Sequence, residues 1–82
     1  MSNSSMKDLV VFIAKALVDE VDRIEINEIE TSQTNILELK VAKEDVGKVI
    51  GRDGRTAHAI RTILSCAAAK TQKRYNLQII DD

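Results

Sequence analysis

Two glycines three residues apart, in Gly51-Arg52-Asp53-Gly54, separate a short apolar segment from a long amphipathic one. The 82-residue chain has only three glycines and no proline, so there are few places where its backbone can turn sharply. Val46-Gly47-Lys48-Val49-Ile50 leads into the loop, and a new helix is expected to start at Arg55. The glycine pair allows positive φ and lets another molecule approach without meeting a Cβ. At a helix start the first N–H groups lack intrahelical partners and carry partial positive charge. Such a place suits a phosphate, and Lys48, Arg52 and Arg55 surround it with cationic side chains. Any fold of this chain has to hold two helices on either side of that loop.

The remaining elements follow from hydrophobic spacing. Residues 1–5 are expected to be a loose terminus, with Ser4 or Ser5 capping a helix and Asp8 completing a variant of the capping box. Leu9, Val10, Ile13, Ala16 and Leu17 then recur at helical spacing, which predicts a helix from about residue 6 to Glu20. Val11, Phe12 and Val18 fall off that stripe and leave apolar surface to spare. Arg23–Thr31 reads as a strand with Ile24 and Ile26 on one face. Ile29 has the opposite parity, which predicts a bulge near Asn27-Glu28 or a second partly buried face. Ser32-Gln33-Thr34-Asn35 reads as a turn, and Ile36–Val41 as a second strand with Leu37, Leu39 and Val41 inward.

A short helix over about Lys43–Ile50 follows, with Val46, Val49 and Ile50 inward. Gly47 within it costs about 1 kcal/mol against alanine, which a close backbone approach would justify. The helix after the loop is expected to run from Arg55 to about Gln72, with Ala57, Ile60, Ile63, Leu64, Ala67 and Ala68 on one arc. His58, Thr62, Ser65 and Ala69 fall opposite, and Lys73-Arg74 place favourable charge at its end. Tyr75–Ile80 reads as the last strand, after which Asp81-Asp82 trail off. Two strands joined by a turn pair antiparallel. Strands joined through two helices by a right-handed crossover lie parallel. The expected architecture is α+β, a three-stranded mixed sheet with three helices on one face.

Loop and topology together resemble the type II KH fold, α-β-β-α-α-β, whose mark is I-G-x-x-G between two helices with a basic residue after it. Here that mark is Ile50-Gly51-Arg52-Asp53-Gly54-Arg55. The resemblance covers residues 6–80, making residues 6–82 one KH domain, and at this size the chain is similar to the bacterial KhpA family. It implies single-stranded RNA as the ligand, with the loop clamping about four nucleotides of backbone. Carried over by position, Gly51, Arg52, Asp53 and Gly54 form the clamp and Gly47, Lys48 and Ile50 line the helix leading to it. Arg55, His58 and Arg61 stand on the helix that follows. Leu39 and Val41 belong to the groove floor or the core beneath it. The resemblance also implies a homodimer, or a heterodimer with a larger KhpB-like KH protein. It further implies a role as RNA chaperone or post-transcriptional regulator linked to cell-envelope growth and cell length.

Composition neither announces nor forbids this. Net charge is −1, yet residues 1–42 carry four basic and eight acidic side chains and residues 43–82 carry eight and five. Positive charge therefore gathers around the loop, where it can steer a polyanion. With one Phe, one Tyr and no Trp, a base-stacking platform of the RRM or OB kind is not expected. No apolar run approaches the roughly 20 residues of a membrane span, and Met-Ser-Asn-Ser-Ser lacks the pattern of a secretory signal. A single cysteine fits a reducing cytoplasm.

Catalysis lacks a constellation. His58 and Cys66 stand eight residues apart on one helix, too far for a dyad and too few for a metal site, so no metal and no cofactor are expected. Neither a P-loop nor a G-x-G-x-x-G string occurs.

Lys48, His58 and Arg61 read equally as solvated helix surface, and Ile50 as core. Asp53 departs from the family loop. It either caps the next helix or repels phosphate, so binding is expected to be weak, salt-sensitive and poorly selective for sequence. Cys66-Ala67-Ala68-Ala69 reads as packing against the sheet or as a helix-to-helix dimer seam. The alternative to RNA binding is a protein-interaction module with little RNA contact of its own, which Asp53, the low net charge and the surplus apolar surface of the first helix favour.

Overall fold

A computed structural model describes residues 4–80. Helix α1 spans Ser4–Leu17, strand β1 Glu25–Glu30, strand β2 Thr34–Lys40, helix α2 Val46–Ile50, helix α3 Arg55–Ala68 and strand β3 Arg74–Ile80. Short 3-10 turns at Val21–Arg23, Lys43–Asp45 and Arg52–Gly54 join them. The sheet order is β1-β2-β3, with β1 antiparallel and β3 parallel to β2. This is the expected α+β order, with β2 as the central strand.

The core lies between the helices and one face of the sheet. Leu37, Leu39 and Val41 on and just after β2, Leu77 on β3, Val49 on α2 and Ile60, Leu64 and Ala68 on α3 are all buried. Each fully buried leucine contributes about 1.5–3 kcal/mol of transfer free energy. From α1 the core takes Met6, Val10, Ala14 and Val18, spaced by four, with Leu9, Ile13 and Leu17 packed beside them. The buried stripe is thus rotated from the expected one: Val18 is inside and Ala16 is exposed, while Phe12 lies off the stripe as expected, at 73% exposure.

Several boundaries differ for identifiable reasons. Ser4 and Ser5, expected in the loose terminus at residues 1–5 or as caps, are the first helical residues of α1, and residues 1–3 and 81–82 lie outside the described residues. α1 ends at Leu17 and not Glu20, because the Glu20 N–H leaves the helical path to donate to the Asp45 carboxylate at 3.0 Å. No bulge occurs in β1: the register runs unbroken from Glu25↔Lys40 to Glu30↔Asn35. Ile29 simply pairs with Ile36 on the open face of the sheet, 42% exposed.

Asn35, expected in the turn, is a fully buried strand residue whose Nδ2 donates to Glu28 Oε2 at 2.6 Å. The turn itself is tighter, closed by Thr31 N–H to Thr34 O at 3.0 Å. α3 stops at Ala68 rather than Gln72. Both the N–H and the hydroxyl of Thr71 donate to the Ala68 carbonyl at 2.8 Å, and Gln72 turns the chain with φ 61°. Lys73 and Arg74 consequently lie beyond the helix end. Lys73 pairs with Glu30 at 3.7 Å and Arg74 opens β3.

Candidate nucleic-acid interface

Buried Val46 and Val49 anchor α2 to the core, so the chain reaches the loop from a fixed direction. The Gly51 N–H donates to Gly47 O at 2.8 Å, and the Gly54 N–H to Gly51 O at 3.1 Å. Gly51 has φ 79° and ψ 172°, a region essentially closed to other residues. A Cβ placed there would lie 2.2 Å from Thr56 Oγ1 and 2.8 Å from the Thr56 backbone nitrogen. Gly51 is therefore required twice, by dihedral and by space.

Asp53 and Gly54 follow with φ 56° and 75°. Gly54 takes the N-cap position of α3, and no side chain caps that helix. The Asp53 carboxylate does not act as the expected cap, because the left-handed backbone at Asp53 puts Gly54 in that place. The Arg55 N–H donates to the Arg52 carbonyl and the Thr56 nitrogen sits over Gly51, so α3 starts from a tight turn whose exposed rim carries Arg52 and Arg55.

The other expected site residues divide. Ile50 is not core: it is 37% exposed, next to the loop, because a five-residue α2 buries only Val46 and Val49. Gly47 is exposed, and a Cβ there would meet nothing within 4 Å, so no close approach within the chain explains it. The open space lies on the surface leading to the loop. His58 is exposed on the first turns of α3. Leu39 and Val41 are core rather than groove floor, at 0% and 5% exposure.

Two expected cations are already engaged. Arg61 donates through Nε and Nη2 to the Leu77 carbonyl, each at 3.3 Å, and so bridges α3 to β3. Lys48 Nζ pairs with Asp19 and, at 3.1 Å, with Asp45 Oδ1. Among the described residues Arg52 and Arg55 have no ionic partner, and the loop charge is theirs against Asp53. In the Cys66–Ala69 run, Ala68 is buried and Ala67 half-buried, while Cys66 and Ala69 are exposed. Ile63, expected on the buried arc, is 46% exposed.

Sequence reasoning missed Asp45. Its side chain is 1% exposed, takes the Glu20 N–H on one oxygen and Lys48 on the other, and ties the end of α1 to the start of α2. The Glu20 N–H and the Lys48 ammonium hold its carboxyl below the usual range against the opposing effect of burial. The Asp45–Lys48 spacing of three was the only local signal, since Asp19 lies 29 residues from Lys48. Thr56, which closes the space over Gly51, was also missed. Among the described residues no group of three or more His, Cys, Asp or Glu could hold a metal ion, and no helix is long and apolar enough to cross a membrane.

Comparison with known proteins agrees with the fold. The family model described as KhpA/KhpB, KH domain matches residues 7–79. The RNA-binding protein KhpA of Caldanaerobacter subterraneus subsp. tengcongensis is 57% identical over 75 residues, covering 92% of this chain and all of the relative. The protein of the same name in Borreliella burgdorferi is 53% identical over 74 residues, 90% of each chain, and that of Treponema pallidum 48% over 75 residues, 92% and 94%. No solved structure matches. With the family model spanning nearly the whole chain and these identities beside it, the chain belongs to the KhpA/KhpB family of KH domains.

Proposed function

We propose that this protein binds single-stranded RNA without catalysis, clamping the phosphate backbone at Gly51-Arg52-Asp53-Gly54. The observation that carries the reading is the loop itself. Gly51 and Gly54 hold a positive-φ turn at a helix start that no side chain caps, with exposed Arg52 and Arg55 on its rim. Gly47, Ile50 and His58 line the approaches, Ile50 as apolar surface for a base. Lys48 and Arg61 are contacts only once their internal partners release them. RNA is favoured as the polymer because the relatives at 48–57% identity are named RNA-binding proteins. The role that follows is that of a cytoplasmic RNA chaperone or post-transcriptional regulator, with cell-envelope growth and cell length as the affected processes.

Two free cations imply a modest slope of log affinity against log salt, about −1.4 for a single strand. The test is fluorescence anisotropy of a labelled oligo(U) of about twelve nucleotides against wild type and Arg52→Asp, at low and physiological salt. Loss of binding in the folded variant supports the clamp. Equal binding by both refutes it.

A second reading has its own observation. Ile63 stands exposed on α3 with exposed Ala59 and Cys66 on neighbouring turns, a face on which small residues let a second helix approach. On this reading α3 pairs with a second copy or with a larger KhpB-like KH protein, and RNA contact is secondary. Sedimentation at micromolar concentration decides the homodimer: wild type should sediment as a dimer and Ile63→Glu as a monomer. A monomeric wild type refutes it.

A further inference from the structure

Lys48 is on α2, three residues before the first loop glycine, yet its ammonium is taken by two carboxylates from outside the loop. Its two partners differ. Asp45 is buried and fixed from a second direction by the Glu20 N–H, so it stays where it is. Asp19, just past the end of α1, has a side chain that is 78% exposed, so its carboxylate reaches Lys48 through solvent-accessible space. An exposed ion pair of this kind is weak and readily exchanged. Beside Lys48, Gly47 leaves open space about one helical turn from Gly51.

We propose that Asp19 competes with RNA phosphate for Lys48, so that this carboxylate outside the loop sets how strongly the loop binds. The inference rests on the reading of the loop as a phosphate clamp. In the free protein the Asp19 carboxylate takes the place on the ammonium that a phosphate oxygen would take. A strand running from Gly51 along α2 has to displace it, so this third cation is fully available to phosphate only when the carboxylate is absent. The carboxylates of Asp19 and Asp45 raise the Lys48 ammonium above the ordinary lysine range, so it is charged in both arrangements.

The experiment uses the full chain and the same labelled oligo(U), at about 50 mM and about 200 mM salt. Asp19→Asn should tighten binding about threefold at the lower salt, shrinking towards parity at the higher, with a slope steeper by about 0.7. Asp22→Asn, which removes an equal exposed charge from the neighbouring turn without touching Lys48, should do neither. Lys48→Met introduced into the Asp19→Asn protein should erase the gain.

An Asp19→Asn protein indistinguishable from Asp22→Asn, or a gain that survives loss of Lys48, overturns the proposal. Should Lys48→Met unfold the protein, the slopes of Asp19→Asn and Asp22→Asn decide alone, since both positions are exposed. Arg52→Asp separates the two levels of inference. Binding lost with Arg52→Asp but indifferent to Asp19→Asn sinks only the competition. A Lys48-dependent gain indifferent to Arg52→Asp supports the competition and sinks the clamp.

Discussion

Replacing Gly51 by alanine should destabilise the fold far more than the same change at Gly54, although both glycines belong to one loop and both have positive φ. At Gly51 the dihedrals of 79° and 172° cost a non-glycine residue about 1–3 kcal/mol. The new methyl would stand 2.2, 2.7 and 2.8 Å from Thr56 Oγ1, Cβ and N, an overlap that forces backbone movement and costs about 1–3 kcal/mol more. The combined loss of about 2–6 kcal/mol is a large share of the roughly 4–12 kcal/mol expected for 82 residues.

At Gly54 nothing lies within 4 Å of an added Cβ, and the left-handed conformation alone costs about 1–2 kcal/mol. Thr56→Ala should rescue Gly51→Ala only in part, because the Thr56 Cβ and backbone nitrogen remain in the way. Equilibrium urea denaturation measures all of this. A Gly51→Ala protein within about 0.5 kcal/mol of wild type would refute the loop geometry.

Other consequences are independent of the loop. The Asp45 carboxyl is held below its ordinary value of 3.8 first by the Glu20 N–H and then by Lys48, so its contribution is fully present above that value and lost as pH falls through the lowered one. Urea midpoints followed from neutral pH into acid should therefore fall for wild type at the acid end and show less of that fall in Asp45→Asn. Parallel curves would exclude the linkage. On α3, Leu64→Ala should cost about 2–5 kcal/mol and its neighbour Ile63→Ala less than about 1, since only Leu64 is in the core. Equal losses would mean that α3 faces the sheet differently.

Local patterning carried much of the fold. Leu37, Leu39 and Val41 alternate under a single buried face, so β2 was legible from its period alone. The glycine pair marked the loop because a loop with these dihedrals has few other spellings. What sequence spacing misjudged depends on partners distant in the chain or on which arc of a helix meets a neighbour. Asn35 reads as a turn residue until Glu28 on the adjacent strand supplies its partner.

Ile50 and Ile63 fit apolar stripes, but α2 is too short to define a face and α3 turns Ile60 and Leu64 inward instead. Lys48 and Arg61 counted as loop cations by position. Asp19 and the Leu77 carbonyl, 29 and 16 residues away, engage them. α3 ended early where the Lys70 and Thr71 N–H groups turn to the carbonyls three residues back and the Thr71 hydroxyl joins them, which no periodicity records.

The most direct test of the clamp is residue-resolved. Amide shifts of the isotope-labelled protein, followed while a single-stranded oligo(U) is titrated in, report which backbone N–H groups meet the ligand. The account predicts the largest changes at Gly51, Arg52, Gly54 and the first turn of α3, with smaller ones at Gly47 and Ile50. Changes centred on the open sheet face around Asn27, Ile36 and Asn76, with the loop unmoved, would contradict it.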